Sequence, residues 1–305
     1  MNAIEIDGLK KFYGSVEAVK GVSFAVQQGE LFGLIGPDGA GKTTLLRTVC
    51  TLLTPDAGHV GVSGLDIQKD RAKIRASVGY MPQRFSLYQD LSVAQNLRFF
   101  ADLFGVPKQE RAQRAERLYR FSRLKPFQDR KAGALSGGMK QKLALMCALI
   151  HIPKVLVLDE PTFGVDPVSR QEFWEILTAI RQEGTAILVS TAYMDEADLC
   201  DRVALMHQGK IHALGTPEAL RTLYRFPLYR ATGEYVYALR DFFARQPEVT
   251  ATQLFGDAVH VSFFQKPELA LWDRWMQQNP GLLKQWHSQR PSIEDVFMDV
   301  VGATP

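Results

Sequence analysis

Gly36-Pro37-Asp38-Gly39-Ala40-Gly41-Lys42-Thr43 places curling glycines ahead of an adjacent lysine and hydroxyl. This G-x-x-x-x-G-K-[ST] spacing suits a phosphate chain. The glycines let backbone N–H groups converge on phosphate oxygens, Lys42 brings a flexible cation to the terminal phosphates, and the Thr43 hydroxyl is placed to ligate Mg²⁺. Thr44 extends the phosphate-binding set by one residue. A second centre lies in Val155-Leu156-Val157-Leu158-Asp159-Glu160, an apolar run ending in two acids. Asp159 can hold Mg²⁺ through its water shell, and Glu160 can polarise an attacking water. A third lies in Leu135-Ser136-Gly137-Gly138-Met139: a hydroxyl, two exposed glycine N–H groups and the positive end of a helix dipole. Alone, that third stretch would more often be a plain helix start.

These residues need a scaffold, and the hydrophobic pattern supplies one. Leu31–Ile35 is a short apolar strand before the glycine loop, and a helix follows through Leu45, Leu46 and Val49. Val155–Leu158 and Ala186–Ser190 read as buried strands with a helix, Phe173–Ile180, between them. Val203–His207 and Ile211–Ala213 flank Gln208–Gly209 as a hairpin, while 2–7 and 22–27 read as edge strands of an antiparallel layer. From about Leu91 to Ile150 the spacing is helical. The expected class is α/β: a mainly parallel sheet with helices, an antiparallel β layer and a helical insert.

The character changes after about Arg225. Leu228–Thr232, Val249–Phe255, Ala258–Phe264 and Leu283–Ser288 read as strands, with helices around Tyr235–Phe243 and Leu269–Met276. That order suits a small ferredoxin-like α+β module. A last helix, Ile293–Val300, is expected to start at Ser292, with Asp295 completing a capping box.

Composition narrows the class further. The chain has 305 residues, 46% hydrophobic and 23% charged, room for one large and one small domain. A net charge of +3 does not argue for nucleic acid, and none is expected as partner. Cys50, Cys147 and Cys200 lie far apart and read as small buried hydrophobes. No run reaches the roughly 18–20 apolar residues of a membrane span, and no targeting signal is read at either terminus.

In series, these motifs resemble the nucleotide-binding domain of ABC (ATP-binding cassette) transporters, over about residues 2–225. The resemblance implies domains at 1–225, with a helical subdomain at about 84–150, and an accessory module at 226–305. It implies ATP and Mg²⁺ as cofactors, and a second cassette bound head to tail whose Ser136–Gly138 turn caps the γ-phosphate. Tyr13 falls where the family stacks an aromatic on adenine, and Gln83 where a glutamine contacts Mg²⁺ or water. Asp166 falls where a loop communicates between the two sites. Lys42, Gln83 and Glu160 are thus the expected catalytic set, and Thr43, Gln83 and Asp159 the metal set. Two positions depart from the pattern. Asp38 stands where asparagine is common and is expected to face away from phosphate. Ala192 stands where the family has its switch histidine, which implies slow hydrolysis at this chain's own site; Tyr193 is an alternative stand-in.

Pro291-Ser292-Ile293-Glu294-Asp295-Val296-Phe297 resembles the ending of bacterial drug or polysaccharide exporter ATPases, in particular the first cassette of tandem ones. That implies integral membrane permease subunits as partners and a cytoplasmic place, peripheral on the inner face of the cell membrane. Phe85, Leu87 and Tyr88 are candidates for a groove that receives a permease helix. The arginine-rich stretch Arg111–Arg123 reads as a solvated helix face. A regulatory cassette that closes on ATP without hydrolysing it, and a soluble ABC protein acting on nucleic acid or ribosomes, remain as competing readings.

Overall fold

The computed structural model describes residues 2–84 and 86–302. Strands β1 (Asn2–Tyr13) and β2 (Val16–Gln27) form a long antiparallel hairpin. Both run well past the expected 2–7 and 22–27. Bulges interrupt the hairpin's register, and the strict alternation of apolar residues fades wherever the register shifts. β3 (Leu31–Ile35) is buried at every residue and leads through the glycine loop into α1 (Lys42–Val49). β4 (Ala57–Val62) and β5 (Leu65–Asp66) complete the antiparallel layer, in the order β2-β1-β4-β5. α2 (Arg71–Ser77) went unread in the sequence because Ile74 is its single buried residue.

β6 (Val78–Met81) enters the main sheet, and the helical subdomain follows: α3 (Val93–Leu103), α4 (Lys108–Ser122) and α5 (Gly137–Leu149). Its own core includes Val93, Leu97, Leu118, Leu143 and Met146. β7 (Val155–Asp159), α6 (Pro167–Gln182), β8 (Ala186–Thr191), β9 (Arg202–His207) and β10 (Lys210–Gly215) close the larger unit. The six strands are ordered β10-β9-β3-β8-β7-β6, all parallel except β10. Strands buried on both faces lose polar alternation, which is why β7 and β8 read as plain apolar runs.

The chain divides into two compact units, Met1–Pro217 and Glu218–Pro305, with α7 (Pro217–Arg221) spanning the division. The expected change at 225/226 lies a little later in the chain. The residues between belong with the second unit: Arg221 Nε donates to the carbonyl of Pro291 at 3.0 Å, and the Tyr224 hydroxyl bonds Ser262 Oγ. That unit runs β11 (Leu228–Thr232), α8 (Val236–Phe243), β12 (Val249–Phe255), β13 (Ala258–Phe263), α9 (Leu269–Gln278), β14 (Gln285–Ser288) and α10 (Ile293–Gly302). Its sheet is antiparallel throughout, in the order β12-β13-β11-β14, which is a ferredoxin-like arrangement. Leu239 and Phe243 of α8 and Trp272 and Trp275 of α9 pack with Val259, Val261 and Phe263. The capping box before α10 is formed: Asp295 N donates to Ser292 Oγ (3.1 Å) and Ser292 N to Asp295 Oδ2 (2.8 Å). No helix among the described residues is long and apolar enough to cross a membrane.

Candidate functional site

Parallel pairing sets the site. β3 lies between β8 and β9, and β7 lies beside β8, so the carboxyl ends of these strands converge beneath the glycine loop. Two glycines in the loop are obligatory. A Cβ on Gly36 would lie 2.0 Å from the Met206 carbonyl oxygen; Gly41 has φ 103° and a Cβ there would lie 2.4 Å from the Ala18 oxygen. No side chain caps the start of α1.

Lys42 is buried beneath the loop. Its Nζ donates to the carbonyls of Gly36 (2.7 Å) and Pro37 (3.0 Å) and pairs with Glu160 Oε1 at 3.0 Å. Gln83 Nε2 donates to the other Glu160 oxygen at 2.9 Å. Directly before Glu160, at the end of β7, Asp159 Oδ1 accepts from Thr43 Oγ1 (3.0 Å) and Ser190 Oγ (2.9 Å). Asp159 Oδ2 is buried with no hydrogen-bond partner. Burial pushes this carboxyl above the usual aspartate range and the neighbouring Glu160 adds to the shift, while the Ser190 and Thr43 hydroxyls partly offset it. An unpartnered buried carboxyl oxygen beside a hydroxyl is a hard oxygen donor set of the kind that suits Mg²⁺. The expected residues Lys42, Thr43, Gln83, Asp159 and Glu160 therefore meet in one cluster. Ser190 joins them without having been singled out. Its signal was the hydroxyl pair Ser190-Thr191 closing an apolar strand, with Ser190 in register with Asp159.

Asp38 is exposed at the loop tip. Tyr13 is 49% exposed and pairs with Val16 at the end of the hairpin whose Ala18 abuts Gly41. Ser136, Gly137 and Asp166 form a second, exposed cluster. Ser136 Oγ accepts from Met139 N (3.4 Å) at the start of α5, and Asp166 Oδ1 accepts from Ser169 N (2.9 Å) at the start of α6. The two helix starts adjoin closely: a Cβ on Gly138 would lie 2.5 Å from Ser169 Cβ.

Ala192 directly follows Thr191, which pairs with Ile35 and accepts from the Gly36 N–H at 3.2 Å. Its methyl group is thus one residue from a direct contact of the glycine loop. The Tyr193 ring lies under the Arg170 guanidinium at 4.9 Å, held against α6. Leu87 corrects the expected groove: it is buried in the core of the helical subdomain with Val93 and Leu97, since an apolar side chain there seals the base of α3. Tyr88 is 50% exposed and meets Phe99 edge-on at 4.7 Å; Phe85 lies outside the described residues. Within the arginine-rich stretch, Arg111, Arg114 and Arg117 are partly buried and pair with Asp102, Glu110 and Glu183. The three cysteines are buried.

Residues 19–163 match the family model described as ABC transporter. The probable multidrug ABC transporter ATP-binding protein YbhF of Escherichia coli (strain K12) is 48% identical over 98% of this chain, which spans 52% of that protein. The chain thus spans about half the length of the first curated relatives it matches. The Nod factor export ATP-binding protein I of Burkholderia orbicola (strain AU 1054) is 38% identical, covering 98% of this chain and 97% of its own. A solved ATP binding subunit of an ABC transporter is 29% identical, with a TM-score of 0.67 over 72% of this chain and 92% of its own.

Proposed function

The chain belongs to the family of ABC transporter ATP-binding proteins, and on that premise we propose that it is the energy-coupling ATPase of an exporter. In this reading ATP is gripped between the Gly36–Thr44 loop of one cassette and the Ser136–Gly138 turn of a second, arranged head to tail. Closing and reopening of the pair drives integral membrane permease subunits, with the cassettes peripheral on the inner face of the membrane. The names of the multidrug and Nod factor export relatives support export.

The observation that carries the reading is the buried Lys42–Glu160 pair, joined from the surface by Gln83, beside Thr43 and the unpartnered Asp159 oxygen. Lys42 holds Glu160 until terminal phosphates draw the ammonium group away; Glu160 is then free to orient water, with Gln83 beside it. Thr43, Asp159 and Gln83 would hold Mg²⁺, whose charge offsets that of the phosphates. Tyr13 offers an exposed ring for adenine.

Ala192 sets the rate. A methyl group beside the loop supplies no hydrogen bond to the transferred phosphate, and losing a charge-assisted one costs about 1.5–3 kcal/mol, or roughly ten- to a hundredfold in turnover. The chain's own site is slow, while its intact Ser136–Gly138 turn serves the partner's. The same observation favours a second reading, a regulatory cassette that closes on ATP without turnover, and single-turnover hydrolysis separates the two.

The purified chain is expected to bind ATP tightly and hydrolyse it slowly, and Ala192→His should speed hydrolysis about ten- to a hundredfold. Brisk hydrolysis by the unaltered chain, lost in Glu160→Gln, would remove the slow-site reading. Failure to bind ATP at all would remove the whole.

A further inference from the structure

The turn that carries Glu160 is held in place by a residue far along the chain. Glu160 has φ 48°, a left-handed conformation that a residue with a side chain keeps only when its surroundings over-determine it. Its N–H donates to Ser190 O and Oγ (3.1 Å each), and its carbonyl accepts from Phe163 N at 3.2 Å. The Thr162 carbonyl in turn accepts from Val165 N at 3.2 Å, so two tight turns follow each other into Asp166. The Thr162 side chain points to another segment: its Oγ1 donates to Glu196 Oε1 at 2.8 Å. That same oxygen accepts from Trp174 Nε1 of α6 at 2.9 Å, and Arg170 Nε lies 3.8 Å from it. Thr162, Trp174 and Glu196 are 1%, 3% and 1% exposed. Glu196 Oε2 is buried with no hydrogen-bond partner. One carboxyl oxygen therefore ties together the turn after Glu160, the helix capped by Asp166 and the segment after Ala192.

We infer that Glu196 is a positioning residue for ATP hydrolysis, acting through Thr162 to fix the backbone that aims Glu160. The inference rests on the ATPase reading above and deepens it. Glu196 belongs to the buried support behind the site, and both hydrogen bonds of its side chain come from protein donors. Both bonds converge on Oε1, with Arg170 Nε 3.8 Å from the same atom, so an acceptor oxygen at that one point ties the segments together. The two donors also separate cleanly. The Thr162 bond fixes the turn, whereas the Trp174 bond fixes α6.

The test compares Glu196→Ala, Glu196→Gln, Thr162→Val and Trp174→Phe in the full chain. It reads single-turnover ATP hydrolysis, ATP affinity, and amide exchange at Phe163 and Val165. Glu196→Ala and Thr162→Val should each slow hydrolysis about tenfold or more, with ATP affinity held within about twofold. Both should also speed exchange at the two amides about tenfold. Glu196→Gln, which keeps an acceptor oxygen, should restore both readouts. Trp174→Phe should lower Tm and leave both readouts as in the parent. If Glu196→Ala fails to fold, the near-isosteric Thr162→Val decides alone. Parent-like hydrolysis and exchange in Thr162→Val would overturn the inference, as would a Trp174→Phe that slows hydrolysis equally. If the unaltered chain hydrolyses no ATP, the ATPase reading fails on its own, and the exchange measurement still decides whether Glu196 holds the turn.

Discussion

The chain starts two helices with glycine, and it treats them in opposite ways. At α1 the preceding Gly41 is left-handed and no side chain caps the helix, so its first backbone donors have no side-chain acceptor. Buried beneath them, Lys42 and Glu160 neutralise each other. At α5 the Ser136 hydroxyl caps the helix, the turn is exposed, and Gly138 is pressed against Ser169 at the start of α6. The first start closes over an ion pair of its own chain. In the reading proposed above, the second is one half of a contact and gains a ligand only when another molecule brings one. The difference teaches that glycine-rich helix starts are not equivalent: one lies over a buried ion pair of its own chain, and the other presents a capped, exposed turn.

Three measurements can break or sharpen that contrast. The largest effect is expected from Lys42→Ala, which strands Glu160 as a buried charge without its cation. Urea unfolding of the nucleotide-free chain should then lose about 3–5 kcal/mol, most of it recovered when Glu160→Gln is added. Unchanged stability would mean that the pair is not the closed unit its geometry describes. Next comes Ser136→Ala, which should cost at most about 1 kcal/mol of stability. Its visible consequence is expected in assembly: light scattering should show loss of the ATP-dependent dimer, while ATP affinity of the monomer stays within about twofold. A monomer affinity that falls as far as in Lys42→Ala would merge the two regions into one site.

The smallest effect is a slope. Asp159 holds its proton more tightly in the folded chain than in the unfolded one, because burial raises its folded value. Between the ordinary aspartate range and that raised value the folded state binds more protons, so stability falls as pH rises through the window. Asp159→Asn should flatten this slope in urea midpoints measured across acid pH. Affinity for Mg²⁺ with ATP should run the other way in the parent, weakening as pH falls and Asp159 takes up its proton. A slope that survives Asp159→Asn would place the responsible group elsewhere.

Much of this molecule was legible residue by residue. The phosphate loop could be read because its strand, glycines, lysine and helix are contiguous, and so could the capping box at Ser292 and the strand–helix order of the second unit. Elements whose apolar signal is thin or interrupted were harder. α2 buries one side chain, β1 and β2 carry bulges, and Leu87 looked like surface until the helical subdomain closed over it.

The amino-acid order alone therefore determined which functional groups exist and the local backbone that presents them: glycines at 36 and 41 for a tight loop, acids at a strand end, serine before a helix. The tertiary structure decided which of those groups meet. Lys42 reaches Glu160, Gln83 reaches the same carboxyl, Ser190 supports Asp159, and Glu196 grips the turn behind them. Each of these contacts joins segments far apart in sequence. Parallel strands pair only through long crossovers, so their register is a property of the packed sheet, and no local spacing encodes it.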